Sequence, residues 1–399
     1  MTLTVEETLQ TIFAQTIQVE NVLIPIHEAK GRVLQEDISQ DRNLPPIDTA
    51  LMEGIAIQYQ AWQQGNRAFK IENIQEANSP QIALSNPYQA IRVKEGAAVP
   101  QNTDTIIPFA HIRLDTISTQ EWATVGLNNL TLSFQENIIK QGHWAAQASI
   151  VLKKGTHIDN AEIALLASVG KGFVKVSQIP KTVIISIGEN WVDIGATPTY
   201  YQARRASTYA LQAALETLAL QPEILLLPDN EDFITRRLTE TLQHYDFLIF
   251  LGGFEKNISA ILEKLGVHTL CKQIAQNIAP DFYFGRKNNQ TIMGISQSPL
   301  ALYLNTAKYI IPYLYHTLGT PPPPPQYAPL NNPIALSNPS LTYFVPVSIA
   351  QTPQDTTATP MPIQALDNFV NLLKIDAFME INPKNAKIQP GQKFPLYRF

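Results

Sequence analysis

Two adjacent glycines, Gly252 and Gly253, stand between an apolar run and a helical pattern in the stretch LIFLGGFEKNISAILEKLG. A strand, a glycine turn and a helix N-terminus together can bind an anion, because unpaired backbone N–H groups point outward there. Only a few residues separate these glycines from the helical pattern, and one of them, Glu255, repels an anion. We therefore interpret the pair mainly as a tight corner whose backbone lies near any ligand of this edge.

Two other apolar runs end in residues that could contact a ligand. Gly188 closes the run TVIISIG and is followed by Glu189, while Ser298 and Pro299 come shortly after the run QTIMGIS. In open α/β sheets, ligands bind beyond the carboxyl ends of the strands. We therefore expect these residues to share one rim with the two glycines.

Charged side chains that could act on a ligand occur at two further places. The carboxylate of Glu53, in LMEGIA, could help to hold a divalent cation or orient a water, or it could be an ordinary exposed loop residue. Arg204 and Arg205 open a helical pattern, where a guanidinium could hold a phosphate or carboxylate or remain on the solvated surface. For Glu53 and for the two arginines, the sequence leaves both the ligand-binding role and the exposed-surface role open.

These residues depend on a domain of alternating strands and helices between residues 181 and 319. Its strand-length runs are apolar on both faces, which is typical of a mostly parallel sheet covered on two sides. The predicted fold class is α/β and multidomain, with a three-layer α/β domain. The predicted strands are 182–188, 223–228, 246–253 and 290–296, and the predicted helices are 204–220, 232–244, 257–265 and 299–318.

The rest of the chain divides by pattern and composition. A helix is predicted from Asn160 to Ser168, and short β-like runs, among them NLTLSF at 129–134, indicate a β-rich insertion. The predicted segments are an N-terminal helical and connecting domain (1–43 with 138–180), an inserted β-rich domain (44–137), a polyproline linker (320–325) and a small C-terminal β domain (326–399).

The composition narrows the class of protein. A formal net charge of −5 argues against a general nucleic-acid or anionic-membrane surface. The sequence has no apolar run of the roughly 18 residues that a membrane helix needs, and its first residues lack a signal-peptide pattern. The lone Cys271 excludes an internal disulfide and a cysteine-based metal cluster. We predict a cytoplasmic protein without nucleic-acid or membrane partners.

Six short motifs, in order over nearly the whole chain, resemble segments of one family. They are similar to signature segments of molybdopterin molybdenumtransferases, the MoeA and gephyrin E-domain family. The motifs are PPIDTALMEGIAI (45–57), KEGAAVPQNTDTIIP (94–108), LLASVGKGFVKVSQIPKTVIISIGEN (165–190), YYQARRAS (200–207), FLGGFEKN (250–257) and GISQSPLA (294–301).

The resemblance implies a function and a set of site residues. Such proteins insert molybdenum from molybdate into the dithiolene of adenylylated molybdopterin, using Mg²⁺, and they are usually homodimers of the molybdenum cofactor pathway. It implies a catalytic role for Glu53 and a metal-binding role for Glu53 and Glu189. The implied cofactor-binding residues are Gly188, Glu189, Arg204, Gly252, Gly253, Ser298 and Pro299.

The sequence departs from the family pattern where charged groups handle the substrate. YQAR replaces a YDTN-type run, QNIAPDF replaces KPGKP, and GISQSP has Gln297 and Ser298 where the family has Gly and Asn. Charge-assisted hydrogen bonds contribute about 1.5–3 kcal/mol each, so losing several weakens the binding of a polyanion by orders of magnitude.

Two functions follow. One is a divergent molybdenumtransferase that still inserts molybdenum, although the lost charged groups lead us to expect impaired or lost catalysis. The other is a non-catalytic paralogue that serves as a dimeric binding or scaffold protein. A positive rim would favour the first, whereas a rim filled by Phe254, Trp144 and Phe282 would favour the second.

Overall fold

The computed structural model describes residues 2–126, 130–188, 190–253, 258–351, 356–363, 368–382 and 387–399. The chain forms two compact units. The first consists of Met1–Glu36, Lys154–Ala164 and Gly172–Phe399, and the second of Asp37–Lys153 and Leu165–Lys171.

A seven-stranded sheet forms the centre of the first unit. Its strands, in chain order, are β1 (Thr2–Leu3), β2 (Thr182–Ile187), β3 (Glu223–Leu227), β4 (Phe247–Leu251), β5 (His268–Ile274), β6 (Asp281–Lys287) and β7 (Gln290–Ile295). They lie in the order β1-β5-β6-β7-β4-β2-β3. The pairs β5–β6 and β6–β7 are antiparallel, and the other four pairs are parallel.

Helices cover both faces of this sheet because its strands are apolar on both sides. The helices are α1 (Val5–Phe13), α2 (Ala206–Glu216), α3 (Glu231–His244), α4 (Ile258–Lys264), α5 (Pro299–Asn305) and α6 (Ile311–Thr317). One face of β4 packs in a core with α1, α2, α5 and α6, and the other face packs with α3 and α4. The predicted α/β multidomain fold with a three-layer domain is confirmed.

The helical segment after β7 continues past a proline. A π-helical turn, Thr306–Ile310, joins α5 to α6, and Pro312 follows at the start of α6. Proline has no N–H to donate within a helix, and π-turns accommodate such interruptions. The turn carries Lys308, a cation that is only 4% exposed.

A five-stranded antiparallel sheet follows residues 321–325. Its strands, in the order in which they pair, are Gln326–Pro329, Lys393–Tyr397, Ala377–Ile381, Tyr343–Gln351 and Thr356–Pro360. A short helix, Phe369–Leu372, precedes the third of these strands. The first unit also contains the strand pairs Asn21–Pro25 with Phe173–Ser177, Trp191–Val192 with Ala203–Arg204, and Ile334–Ala335 with Lys387–Ile388.

The second unit is built on a six-stranded sheet. Its strands pair in the order Thr105–Pro108, Gly54–Ile57, Ala90–Val93, Ala68–Gln75, Gln120–Val125 and Ile112–Ile117. Two small strand pairs, Ile38–Ser39 with Ile150–Leu152 and Thr49–Ala50 with Ile138–Ile139, and the helix Tyr59–Gln63 complete it.

Two predictions about individual elements have clear outcomes. The helix Asn160–Ser168 is present with its predicted bounds. A strand at 129–134 is wrong, because residues 130–134 form irregular structure and a turn. Its Leu132 is instead buried against the hydrophobic cluster that includes Tyr59. The division into five segments stays a prediction.

Within the described ranges, no helix combines the length and apolar character that crossing a bilayer requires.

Candidate functional site

A cavity of about 730 Å³ lies beyond the carboxyl ends of β2, β4 and β7. Ile187, Gly252 and Ile295, at or just after these ends, contribute to its wall. Strand β6 is antiparallel to both β5 and β7, so β5 runs in the same direction as β7. The end of β5 and the start of β6 therefore reach the same rim, where Gln273 and Asp281 line the cavity. The topology thus brings five strand ends to one site.

The corner after β4 is covered by a glutamine side chain. Gln297 donates a hydrogen bond from Nε2 to the carbonyl of Leu251 at 2.6 Å. A Cβ atom at Gly252, whose φ is +71°, would lie 3.1 Å from Cγ of Gln297. The amide therefore lies against the glycine backbone, at the place where a ligand would approach it.

The glycine backbone itself has few donors to offer. Gly252 donates its N–H to Ile295 at 2.8 Å, and Gly188 donates to Leu227 at 3.0 Å. Gly253, with φ of +86°, packs so closely that an added Cβ would lie 3.2 Å from Cδ1 of Ile187. These glycines make a tight corner, and two of their N–H groups are already used within the sheet.

The described cavity wall is nearly neutral. Its two charged side chains, Lys272 and Asp281, have opposite signs. Lys272 forms an ion pair with Glu263, from Nζ to Oε1 at 3.1 Å, and this contact lowers the pKa of the Glu263 carboxyl. Asp281 accepts a hydrogen bond from Gln273 at 3.2 Å. Lys272 thus has a partner outside the cavity wall, and Asp281 has a partner within it.

Aromatic and neutral polar groups form much of the remaining lining. Trp191, Phe282 and Tyr283 line the cavity together with the amide of Asn190 and the hydroxyl of Ser296. Phe282, predicted as a possible filling of the rim, is 1% exposed. Of the other two aromatic residues considered, Trp144 belongs to the second unit, and Phe254 lies outside the described residues.

The two arginines named from the sequence differ in burial, and a cofactor-binding role for Arg204 stays a prediction. Arg204 is exposed on a two-residue strand, while Arg205 is only 7% exposed at the N-cap of α2. Arg205 forms an ion pair with Asp193, from Nη2 to Oδ2 at 2.9 Å. Tyr209 donates its hydroxyl hydrogen to Asp193 at 2.5 Å, which lowers the pKa of the Asp193 carboxyl and raises the pKa of Tyr209.

The remaining predicted site residues, Ser298, Pro299, Glu53 and Glu189, do not all lie at the cavity. Ser298 caps α5, its N–H bonded to Oγ of Ser296 at 3.2 Å, and Pro299 is the first residue of that helix. Glu53 belongs to the second unit, where Lys94 pairs with it at 3.3 Å. Glu189 lies outside the described residues. The roles of all these residues stay predictions.

The described residues do not fit a divalent cation. Hard cations such as Mg²⁺ need several oxygen ligands around one point. In the described part of the chain, no group of three or more His, Cys, Asp or Glu side chains could hold a metal ion.

Sequence reasoning missed one wall of the cavity and the carboxylate beside Arg205. Strands β5 and β6 were not predicted, and with them Lys272, Gln273 and Asp281 were overlooked. Asp193 stands twelve positions before Arg205 with a loop between them, so spacing alone did not indicate their contact. The one sequence signal for strand β5 was the run from His268 to Ile274, of which fewer than half of the residues are apolar.

Comparisons with known proteins point to one group of relatives. Residues 3–170 match the family model of the MoeA N-terminal region (domain I and II). The chain is 28% identical over 375 residues to the molybdopterin molybdenumtransferase of Synechocystis sp., covering 92% of each chain. It is 25% identical over 390 residues to the enzyme of that name from Bacillus subtilis, covering 94% of this chain and 89% of the other.

The fold is also that of a solved structure. The molybdopterin biosynthesis MoeA protein from Pyrococcus horikoshii OT3 superposes with a TM-score of 0.82 over the whole of both chains, at 19% identity. This likeness shows the fold, which is a multidomain α/β fold of the MoeA type. Over nearly its whole length the chain is similar to molybdopterin molybdenumtransferases, and residues 3–170 match the MoeA N-terminal region.

Proposed function

We propose that this protein acts in molybdenum cofactor biosynthesis and binds molybdopterin in the cavity at the strand ends, with insertion of molybdenum impaired or lost. The main observation behind this proposal is the corner at Gly252. There the Gln297 side chain donates a hydrogen bond from Nε2 to the carbonyl oxygen of Leu251 at 2.6 Å. An amide there takes the space in which the family sequence pattern has a glycine.

The cavity lining suits the ring of a pterin better than its phosphate. A flat heteroaromatic ring can stack on Trp191, and its edges can exchange hydrogen bonds with Asn190 and Ser296, which line the same cavity. A phosphate or molybdate needs positive charge. The one cation of the described wall, Lys272, is already paired with Glu263.

Catalysis of molybdenum insertion is weakened for the same reason. Transition-state charge on a molybdate or phosphate group is stabilised by positioned cations and N–H donors. The N–H groups of Gly188 and Gly252 are used within the sheet, and the described acidic residues form no metal cluster. A retained role for Glu53, Glu189 and Mg²⁺ has no support from the described residues.

The alternative is a non-catalytic paralogue that acts as a dimeric binding or scaffold protein. The covered corner favours it, since a binding role needs the cavity but not a reactive rim. From the family resemblance we also infer a cytoplasmic homodimer that contacts other proteins of the pathway. Light scattering on the purified chain would measure the oligomeric state.

Complementation tests the proposal. The chain, expressed in a bacterium that lacks its own molybdenumtransferase, should restore little or no nitrate reductase activity at normal molybdate. The Synechocystis relative serves as the positive control, and soluble expression of each protein is checked. Full restoration by the unaltered chain would contradict impaired catalysis.

A glycine substitution sharpens the test. Gln297→Gly removes the covering amide and should increase any residual activity. The matched control is Gln221→Gly, an exposed glutamine just before β3, at the opposite end of the sheet. An equal effect of both substitutions would exclude a specific role for the covered corner.

A further inference from the structure

We propose that Arg205 and Tyr209 form a phosphate-binding subsite beside the cavity, and that the carboxylate of Asp193 occupies this subsite as an internal competitor. The inference rests on the proposed function in one respect: the phosphate would belong to a ligand whose ring lies in the neighbouring cavity. Removing Asp193 would open the subsite to that phosphate.

Arg205 is a buried cation with an incomplete set of partners. Its side chain is 6% exposed, and its charge is balanced by Asp193, with Nη2 lying 2.9 Å from Oδ2. The Nε–H group is buried and has no hydrogen-bond acceptor in the structure. Buried charged groups normally have their hydrogen bonds satisfied, so this guanidinium has unused capacity for an anion.

Asp193, by contrast, reaches the guanidinium from the surface. Its side chain is 56% exposed, and it follows the short strand Trp191–Val192. Its Oδ1 accepts hydrogen bonds from the Tyr209 hydroxyl at 2.5 Å and from the N–H of Ile194 at 2.7 Å. A single exposed carboxylate thus satisfies a cation and a hydroxyl that an external oxyanion could satisfy equally well.

The pair lies next to the cavity along the chain and in space. Asn190 and Trp191, three and two positions before Asp193, line the cavity. On the other side, Ser207, two residues after Arg205, donates its hydroxyl to the carbonyl of Gln297 at 3.0 Å, and Gln297 also lines the cavity. A ligand ring in the cavity would therefore have its substituents within reach of this cluster.

A phosphate fits the cluster better than another carboxylate does. The donors are the Nη2 and Nε groups of Arg205 and the hydroxyl of Tyr209, and the carboxylate of Asp193 leaves Nε without an acceptor. A phosphate has three acceptor oxygens and more negative charge, so it can serve all three donors.

Titration with inorganic phosphate by calorimetry tests this directly, in the full chain at constant ionic strength with chloride as the balancing anion. Asp193→Ala should bind phosphate about tenfold or more tightly than the unaltered protein, because a charge-assisted hydrogen bond corresponds to at least that factor. Acetate at the same concentrations should bind more weakly than phosphate.

Two further variants locate the binding. Asp193→Ala combined with Arg205→Gln should lose the gain, whereas Asp193→Ala with Arg204→Gln, the exposed neighbour, should keep it. If Asp193→Ala does not fold, as judged by circular dichroism and thermal unfolding, Asp193→Asn replaces it, because it removes the charge and retains an acceptor for Tyr209.

The outcomes separate this subsite from the proposed function. A folded Asp193 variant that gains no affinity for phosphate, or whose gain survives Arg205→Gln, overturns the subsite. The titration uses no pterin and no molybdate. A protein that fails every pathway assay and still shows the Arg205-dependent gain would therefore refute the proposed function and leave the subsite standing.

Discussion

Two buried cations of the first unit, Lys308 and Arg205, form ion pairs with carboxylates that differ in exposure. Lys308 pairs with Glu380 at 2.6 Å, and both side chains are buried, at 5% and 9% exposure. Tyr397 accepts a further hydrogen bond from Lys308 at 2.7 Å. Arg205 is as deeply buried, but its partner Asp193 is 56% exposed.

The difference separates a structural charge from an exchangeable one. Burial lowers the pKa of Lys308, and the charge of Glu380 opposes that shift, so each charge depends on the other. This pair joins the π-turn of the helical segment to the C-terminal sheet. Asp193 can return to water without leaving a buried carboxylate behind, so Arg205 can accept another anion in its place.

The largest effect is expected at the fully buried pair. Lys308→Met should lower the free energy of unfolding by about 3–5 kcal/mol, because it leaves Glu380 as an uncompensated buried charge. Urea unfolding at neutral pH measures this loss. The double variant Lys308→Met with Glu380→Gln should recover most of the stability, and a loss below about 1 kcal/mol in the single variant would contradict a structural role.

A smaller effect is expected at the half-exposed pair. Arg205→Met should lower the free energy of unfolding by less than half of the loss at Lys308, because Asp193 stays hydrated when its partner is removed. The same urea unfolding experiment measures it, with Arg204→Met as the matched exposed control. Equal losses for Arg205→Met and Lys308→Met would erase the distinction between the two cations.

The smallest effect on the free energy of unfolding is expected at a hydrogen bond from a neutral tyrosine hydroxyl to an exposed carboxylate. Tyr245 donates to Glu223 at 2.6 Å, and burial together with this contact raises the pKa of Tyr245 to about 12. Since the ordinary tyrosine pKa is about 10, the contact stabilises the fold below pH ~10, and this contribution disappears between about pH 10 and 12. Tyr245→Phe should lack that change.

Unfolding free energies of the unaltered protein and Tyr245→Phe, measured from pH 8 to 12, check this expectation. The difference between the two should be at most about 1 kcal/mol at pH 8 and should vanish near pH 12. A difference that stays constant over this range would show that the hydroxyl contact does not titrate with Tyr245.

The parts of the fold that the sequence predicted are those with the strongest apolar patterns. Strand β4 is buried at all five positions, and the helix Asn160–Ser168 has its predicted bounds. Strand β5 was missed because its two buried residues, Cys271 and Ile274, lie three positions apart, which is not the two-residue period of a half-buried strand. Strand β6 has four consecutive buried residues but an apolar run of only three, Phe282 to Phe284. The β5 wall of the cavity therefore could not be expected from the sequence.

The site was predictable only where the backbone determines it. Gly188, Gly252 and Gly253 line one cavity because parallel strands end together. Side-chain contacts were harder to predict, since Arg204 and Arg205 are adjacent in sequence and differ only in which one points into the protein at the start of α2. The path of the loop after Asp193, which brings its carboxylate to Arg205, has no sequence signal.

One measurement tests most directly the claim that the protein retains binding and has weakened chemistry. Purified protein would be incubated with adenylylated molybdopterin, molybdate and Mg²⁺. Bound pterin would then be quantified by fluorescence after oxidation, and active cofactor by reconstitution of apo-nitrate reductase. We predict bound pterin with little or no active cofactor. Absence of bound pterin, or formation of cofactor at the rate of the Synechocystis relative, would contradict the account.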